Sequence, residues 1–341
     1  MDYETKRLKI VLWTVVSLLI LSVLGVSLLF ILKMHPSTPT PNPVNVGERI
    51  SRADVSLVPD AVGEAGPDTV SDDGSTSIWH GANTRSWAGS GTQADPYLIT
   101  KASELYGLSF RVGQGENFTG KYFKLGIDFD MNGDTLSFTP IGSYNNKFQG
   151  VFDGNGHTIT NLQISTTVAG GLFGYLSGAT ITNLNIEIIF NQDTNADFGG
   201  LAYDVANSSK ITDVNISYLE TYSINQVKYC YVGGLIYNTR DSTIENCKVN
   251  NFTVDAECGS RLLGIYIAGL ITYVYNTTVE GCMADVNFDI RMPDTSYLSE
   301  AIVAGLVGYE NGTNVVYSNN LSCGSIKLTI ESTDPHVYVG E

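Results

Sequence analysis

Residues 198–218 read FGGLAYDVANSSKITDVNISY. Two phrases in this stretch recur down the chain. The first, Gly200-Leu201, has counterparts at Gly171-Leu172, Gly234-Leu235, Gly269-Leu270 and Gly305-Leu306, with spacings of 29, 34, 35 and 36 residues. The second, Ile211-Thr212-Asp213-Val214-Asn215-Ile216, follows its leucine by ten residues and has counterparts nine residues after Leu172, Leu235 and Leu270. The offset between phrases holds while the period drifts, as expected for a fixed structural unit joined by loops of variable length. Both phrases are short, rich in β-formers and bounded by Gly, Asn or Asp, so each reads as strand, turn and strand. Tandem units of this length predict an all-β, right-handed parallel β-helix, in which coils stack about 4.8 Å apart and equivalent side chains form ladders. Asn161, Asn183, Asp213 and Asn246 are then expected to form one turn ladder, because Asn and Asp tolerate left-handed backbone. Gly281 continues it. The residues that follow, Leu162, Leu184, Val214, Cys247 and Cys282, should point inward.

Composition agrees with strands. The chain has 341 residues, 35 of them Gly, and only 16% are charged, whereas helices draw on Ala, Leu, Glu, Lys and Arg. A formal net charge of −16 repels phosphate, which excludes nucleic acid as a partner. Residues 10–32, IVLWTVVSLLILSVLGVSLLFIL, carry no charge and are long enough to cross a bilayer as a helix. Lys6, Arg7 and Lys9 precede this segment, so the positive-inside rule places residues 1–9 in the cytoplasm and the rest outside. The apolar run is too long for a cleaved signal peptide. Residues 33–77 begin with four prolines between Pro36 and Pro43 and continue acidic, which reads as an extended stalk. Residues 78–130 are expected to cap the solenoid, with one short helix in TKASELYGLSFRV, and residues 131–341 to form the coils.

The stretch Trp87 to Ile99, then GKYFKLGIDFDMNG (120–133), FQGVFDGNGHTITNLQI (148–164) and GGLFGYL (170–176), resembles the GLUG-motif repeat regions of bacterial cell-surface proteins. Such regions occur in adhesins and beside IgA-cleaving metallopeptidase domains. The resemblance implies a right-handed parallel β-helix on a cell surface and does not imply an enzyme. The HExxH zinc motif of the peptidases is absent: none of the four histidines is followed by Glu with a paired His.

Several groups invite a chemical role. Asp128, Asp130, Asn132 and Asp134 have the spacing that opens a calcium loop, but its twelfth position is Thr139 where a bidentate Glu is wanted, and a strand turn explains the same residues. Asp153 stands in Asp-Gly-Asn-Gly-His, and Asp128, Asp130 and Asp153 are the acids available to a polysaccharide hydrolase or lyase. General acid and base work needs two carboxylates in close partnership, and the repeats show no paired cluster. A tyrosine follows each Gly-Leu pair: Tyr175, Tyr203, Tyr237, Tyr273 and Tyr309. Tyr203, Tyr237 and Tyr273 are candidates for stacking on sugar rings, against simple ladder packing. Their offset alternates between two and three residues, which on a strand reverses direction and argues against one continuous stripe. The five cysteines fall late, and repeat-equivalent Cys247 and Cys282 are stacked thiols or a bridge.

These residues favour a non-enzymatic, membrane-anchored extracellular protein without cofactors, presenting a binding or adhesion surface to a glycan or protein. The alternatives are a polysaccharide-active β-helix enzyme, or an accessory subunit of a surface complex.

Overall fold

At each Gly-Leu pair the chain turns sharply, and the glycines are there because a neighbouring backbone occupies the space of a side chain. A Cβ on Gly234 would stand 2.0 Å from the carbonyl oxygen of Gly269, and one on Gly269 would stand 2.0 Å from that of Gly305. Successive N–H groups of Leu235 and Ile236 both donate to the Leu270 carbonyl, and those of Leu270 and Ile271 both donate to Leu306. Two donors on one acceptor bend the strand as a bulge does. The leucine at the bend is driven inward: Leu172, Leu201, Leu235 and Leu270 are fully buried.

The computed structural model describes residues 67–71, 74–132, 138–164, 170–190, 197–225, 229–258, 264–292, 300–312, 315–330 and 337–340. They form a parallel β-solenoid of about five coils. One wall stacks Phe173–Ser177, Ala202–Ala206, Ile236–Arg240, Ile271–Tyr275 and Val307–Asn311, all parallel. The wall before the Gly-Leu corner stacks Phe198–Gly199, Tyr229–Gly233, Gly264–Ala268, Glu300–Ala304 and Val337–Gly340. The remaining strands form one sheet bent at the Asn/Asp turns, through which Thr180–Phe190 and Lys210–Tyr218 run unbroken. Inside lies one apolar column, in which Phe198, Tyr218, Phe252 and Phe288 stack from coil to coil.

The turn ladder differs from the sequence reading at one rung. Asn183, Asp213, Asn246 and Gly281 all have positive φ and share one column. Asn161 has positive φ too, but it is elsewhere. Val151–Asp153 pairs with Thr180–Thr182, so the turn stacked on Asn183 is Gly154–His157, with Asn155 as its left-handed residue (φ 53°). Asn161 lies at a register slip in Thr158–Ile164, two residues past Ile159. Its counterpart is Asn251, two residues past Val249 at the same kind of slip. TITNLQI and TITNLNI look alike because a bulge and a turn both demand left-handed backbone followed by an inward apolar residue. A second left-handed column, missed in the sequence, closes each coil after the Gly-Leu wall at Gly178, Asn207, Asp241 and Asn276.

Helix α1, Ala102–Gly113, packs over the N-terminal end of the core, with Leu105, Leu108 and Val112 fully buried. The Glu104 carboxylate accepts from the Thr100 and Lys101 backbone N–H groups at 2.8 and 3.2 Å, fixing its first turn. Asp68 accepts from the Ser103 N–H at 2.9 Å. Thr69–Val70 pairs with Thr76–Ile78, which pairs with Asp128–Asp130. The folded body therefore reaches back to residue 67, into the segment read as stalk, because a carboxylate there satisfies a helix N-terminus. The apolar segment 10–32 lies outside the described residues, as does most of 33–77. Among the described residues no helix is long and apolar enough to cross a membrane.

The corner makes a direct prediction. Gly234→Ala places a methyl group on a backbone oxygen that moves only if a coil moves, and should cost about 3 kcal/mol or more. Gly264→Ala, whose Cβ would meet the Tyr266 ring at 3.3 Å, should change stability by no more than about 1 kcal/mol. Urea unfolding of the two variants against the parent measures the difference, and equal costs would refute the corner's role.

Candidate functional surface

The acids nominated for chemistry are bound up in holding coils together. Asp153 Oδ1 accepts from Asn155 N–H at 2.8 Å and from Asn183 Nδ2 of the next coil at 3.1 Å. Asp130 Oδ1 does the same with Asn132 N–H at 2.8 Å and Asn161 Nδ2 at 3.0 Å. Asp-x-Asn is thus a repeated turn whose carboxylate also receives an amide from the coil above, with Asn132 and Asn155 both left-handed. Asp128 Oδ1 accepts from Thr158 N–H at 2.9 Å and meets His157 Nδ1 at 2.8 Å. The sequence put His157 beside Asp153, whereas parallel stacking brings it to Asp128, one coil away.

For calcium, the arrangement uses one oxygen of Asp130 within its own turn, and Asn132 sends its amide nitrogen to the Trp79 carbonyl at 3.3 Å. Asp134 lies outside the described residues. Among the described residues there is no group of three His, Cys, Asp or Glu side chains placed to hold a metal ion.

The tyrosines form a continuous run in spite of their alternating offset. Ring centroids are 5.5 Å apart for Tyr175 and Tyr203, 4.5 Å for Tyr203 and Tyr237, 5.5 Å for Tyr237 and Tyr273, and 5.8 Å for Tyr273 and Tyr309. One register column holds Tyr175, Asp204, Asn238, Tyr273 and Tyr309. Where Asp204 and Asn238 take that column, Tyr203 and Tyr237 stand one residue earlier and their rings bridge the gap. Tyr231 and Tyr266 of the adjoining wall join them, at 6.0 Å from Tyr237 and 5.4 Å from Tyr273 respectively. Tyr203 and Tyr237 are 6% and 4% exposed, so their faces are taken up by other rings and not open to a sugar. Burial raises the hydroxyl pKa of Tyr203, Tyr266 and Tyr273.

Beside this run a buried carboxylate meets a half-exposed guanidinium, with no obvious mark in the sequence. Asp204, 1% exposed, accepts from Arg240 Nη2 at 3.0 Å and Asn238 Nδ2 at 2.7 Å. Burial raises its pKa, and Arg240 opposes that rise only in part.

The open face is on the turn ladder. Asn155, Gly156, Asn183, Asn185, Asp213 and Asn215 line a shallow cleft of about 470 Å³. Their amide nitrogens are directed into the structure: Asn155 Nδ2 donates to the Leu125 carbonyl at 3.2 Å, Asn185 Nδ2 to Gly156 at 2.9 Å, and Asn215 Nδ2 to Asn185 Oδ1 at 2.9 Å. Asn183 Nδ2 likewise donates to Asp153, so each of these four amides is fixed by one of its two N–H groups. Local sequence marks these residues as turn formers, and only the stacking register shows that they share a cleft.

The fold is that of a parallel β-solenoid. Among solved structures the chain is similar to a crystal structure described as a putative immunoglobulin A1 protease from Bacteroides ovatus, with a TM-score of 0.45 and 19% sequence identity, covering 74% of this chain and 86% of that one. No protein-family model matches the chain, and no curated protein does.

Two outcomes follow from the carboxylates. Asp153→Asn keeps an oxygen acceptor in the turn and should cost under about 1 kcal/mol, while Asp153→Ala loses two hydrogen bonds and should cost about 2 kcal/mol. Equal losses in thermal unfolding would contradict the turn role. For Asp204, the folded pKa lies above the unfolded one, so the folded state binds the proton more tightly and stability falls as pH rises from the ordinary value of 3.8 upward. Relative to the parent, Asp204→Asn should therefore gain stability as pH rises through that window; a pH-independent difference in urea midpoints would count against a raised pKa.

Proposed function

We propose that this chain is a non-enzymatic cell-surface protein, held to a membrane by residues 10–32, whose solenoid binds a neutral, hydroxyl-rich ligand such as a glycan along the Asn/Asp turn ladder. The carrying observation is the row of fixed side-chain amides along that cleft. Each amide nitrogen spends one N–H within the stack, which holds the group in place, and has a second N–H beyond that bond. Sugar hydroxyls both donate and accept, so they match such amides, and rungs about 4.8 Å apart present the row repeatedly along the axis. A solenoid face is preformed, so little ordering opposes association. The chain's net charge of −16 disfavours polyanionic polysaccharides and leaves neutral or cationic ligands.

The Asp128–His157 pair favours a second reading, a polysaccharide-active enzyme, since a carboxylate can orient an imidazole for proton transfer. Against it, Asp130 and Asp153 each spend an oxygen on two amide donors within the stack.

The test is a glycan array probed with the full chain, followed by the Asn185→Ala/Asn215→Ala double variant. Binding of a neutral glycan that falls at least tenfold in the variant, measured at a temperature where circular dichroism shows both proteins fully folded, supports the cleft. Binding that survives the double variant removes it as the site. Release of reducing sugar or unsaturated product from a bound glycan, abolished by His157→Ala, would turn the assignment to the enzyme.

A further inference from the structure

Cys230, Cys247, Cys258 and Cys282 are buried thiols, and two of them share a rung of the stack. Glu245 is opposite Glu280 and Lys248 is opposite Met283, so Cys247 lies against Cys282 in the neighbouring coil. Each follows a left-handed residue, Asn246 or Gly281, and points into the core. Neighbouring strands stand about 4.8 Å apart, inside the roughly 4.4–6.8 Å between Cα atoms that a disulfide spans.

The two sulfurs are not equivalent. The N–H of Cys247 donates to Cys282 Sγ at 3.4 Å, whereas the N–H of Cys282 donates to Asn320 Oδ1 at 2.8 Å. Donation from the Cys247 thiol, and then from its backbone N–H, holds the Cys282 thiol below its ordinary pKa in spite of burial. Burial pushes the thiols of Cys230, Cys247 and Cys258 up. One buried sulfur is therefore stabilised as a thiolate, and the protonated thiol beside it is its hydrogen-bond donor. A thiolate with a partner thiol in contact is the arrangement that carries an oxidised cysteine on to a disulfide.

We propose that Cys247 and Cys282 form a redox modification site whose co-substrate is a small, uncharged hydroperoxide, with Cys282 the attacking sulfur and Cys247 the resolving one. The Cys282 thiolate attacks one oxygen of hydrogen peroxide and the O–O bond breaks. Cys282 becomes a sulfenic acid, and the hydroxide released takes up a proton to leave as water. The Cys247 sulfur then attacks the Cys282 sulfur, the S–O bond breaks, and the hydroxyl leaves as water with the Cys247 proton. Two thiols are oxidised by two electrons, and one peroxide is reduced to two waters. Cys247 and Cys282 are 0% and 1% exposed, so the oxidant enters by local opening, which favours a molecule scarcely larger than water over a protein disulfide. The product ties the strand Lys248–Glu257 to Met283–Met292 covalently and restricts the unfolded chain.

The test uses the full chain in detergent, reduced, freed of reductant and treated with N-ethylmaleimide to block the exposed Cys323. Hydrogen peroxide should then join Cys247 to Cys282 in an unreduced peptide map, at least about tenfold faster than it oxidises Cys230 or Cys258. The urea midpoint should rise with the fraction joined. In Cys247→Ser, peroxide should leave Cys282 as a sulfenic acid that dimedone traps when the chain is unfolded in its presence. The inference is overturned if Cys247 and Cys282 stay reduced while Cys230 or Cys258 is oxidised, or if all four outlast the peroxide. A Cys282→Ser chain whose Cys247 is trapped by dimedone as fast as Cys282 is in Cys247→Ser overturns it too. The peptide map of the parent decides the matter even where a serine variant fails to fold.

Discussion

The constraint on which the coils depend is the approach of a carbonyl oxygen to the glycine of the preceding coil at the Gly-Leu corners. A Cβ on Gly200, Gly234 or Gly269 would fall 2.5, 2.0 or 2.0 Å from that oxygen. The constraint is steric and concerns room more than backbone conformation, since these glycines lie outside the left-handed group. Because the corner is tight, two walls meet at an angle that lets Tyr231 and Tyr266 touch Tyr237 and Tyr273. It also sends one leucine per coil into the core, where burial of a side chain of that size contributes about 1.5–3 kcal/mol. Loop length between corners is free to vary, which is why the period drifts while the corner persists.

What was legible in the sequence follows from that constraint. Gly-Leu pairs mark corners, and Asn183, Asp213 and Asn246 mark a left-handed column, because few residue types tolerate either place. Inward positions follow from strand alternation, and Leu184, Val214, Cys247 and Cys282 are buried as that predicts. What was not legible depends on register between coils. Asn161 carries the turn signature but serves a bulge, and only its pairing with the neighbouring strand separates the two. His157 finds Asp128 across 29 positions, and Asp204 finds Arg240 across 36. Alternating tyrosine offsets suggested a broken stripe, yet a ring is long enough to reach a neighbour from either of two adjacent positions.

The same hydrogen bonds that stack the coils decide what the outside offers. An Asn in a left-handed turn has one amide nitrogen and one oxygen to place. In this ladder the nitrogens go to carbonyls and carboxylates of the adjacent coil, as with Asn183 on Asp153 and Asn215 on Asn185. Stacking therefore takes one N–H of each amide and fixes its orientation, so the ordered amide row on the outer face is a by-product of the fold. Acids that in isolation would suggest catalysis, Asp130 and Asp153, are the acceptors that this traffic requires.

A stack of equal coils has no length of its own, so each end needs a solution separate from the repeat. At the first coil the solution is local: Asp68 and Glu104 satisfy the N–H groups at the start of α1, and the helix covers the core with Leu105, Leu108 and Val112. In the last described coil the inward row keeps the same chemistry, with Ile326 and Leu328 continuing the column of Phe288 and Ile290, and Leu306 continuing that of Leu270. The repeat and the cap are therefore separate solutions: strand alternation sets the inward row of every coil, while only a helix start with its own carboxylate acceptors closes the first.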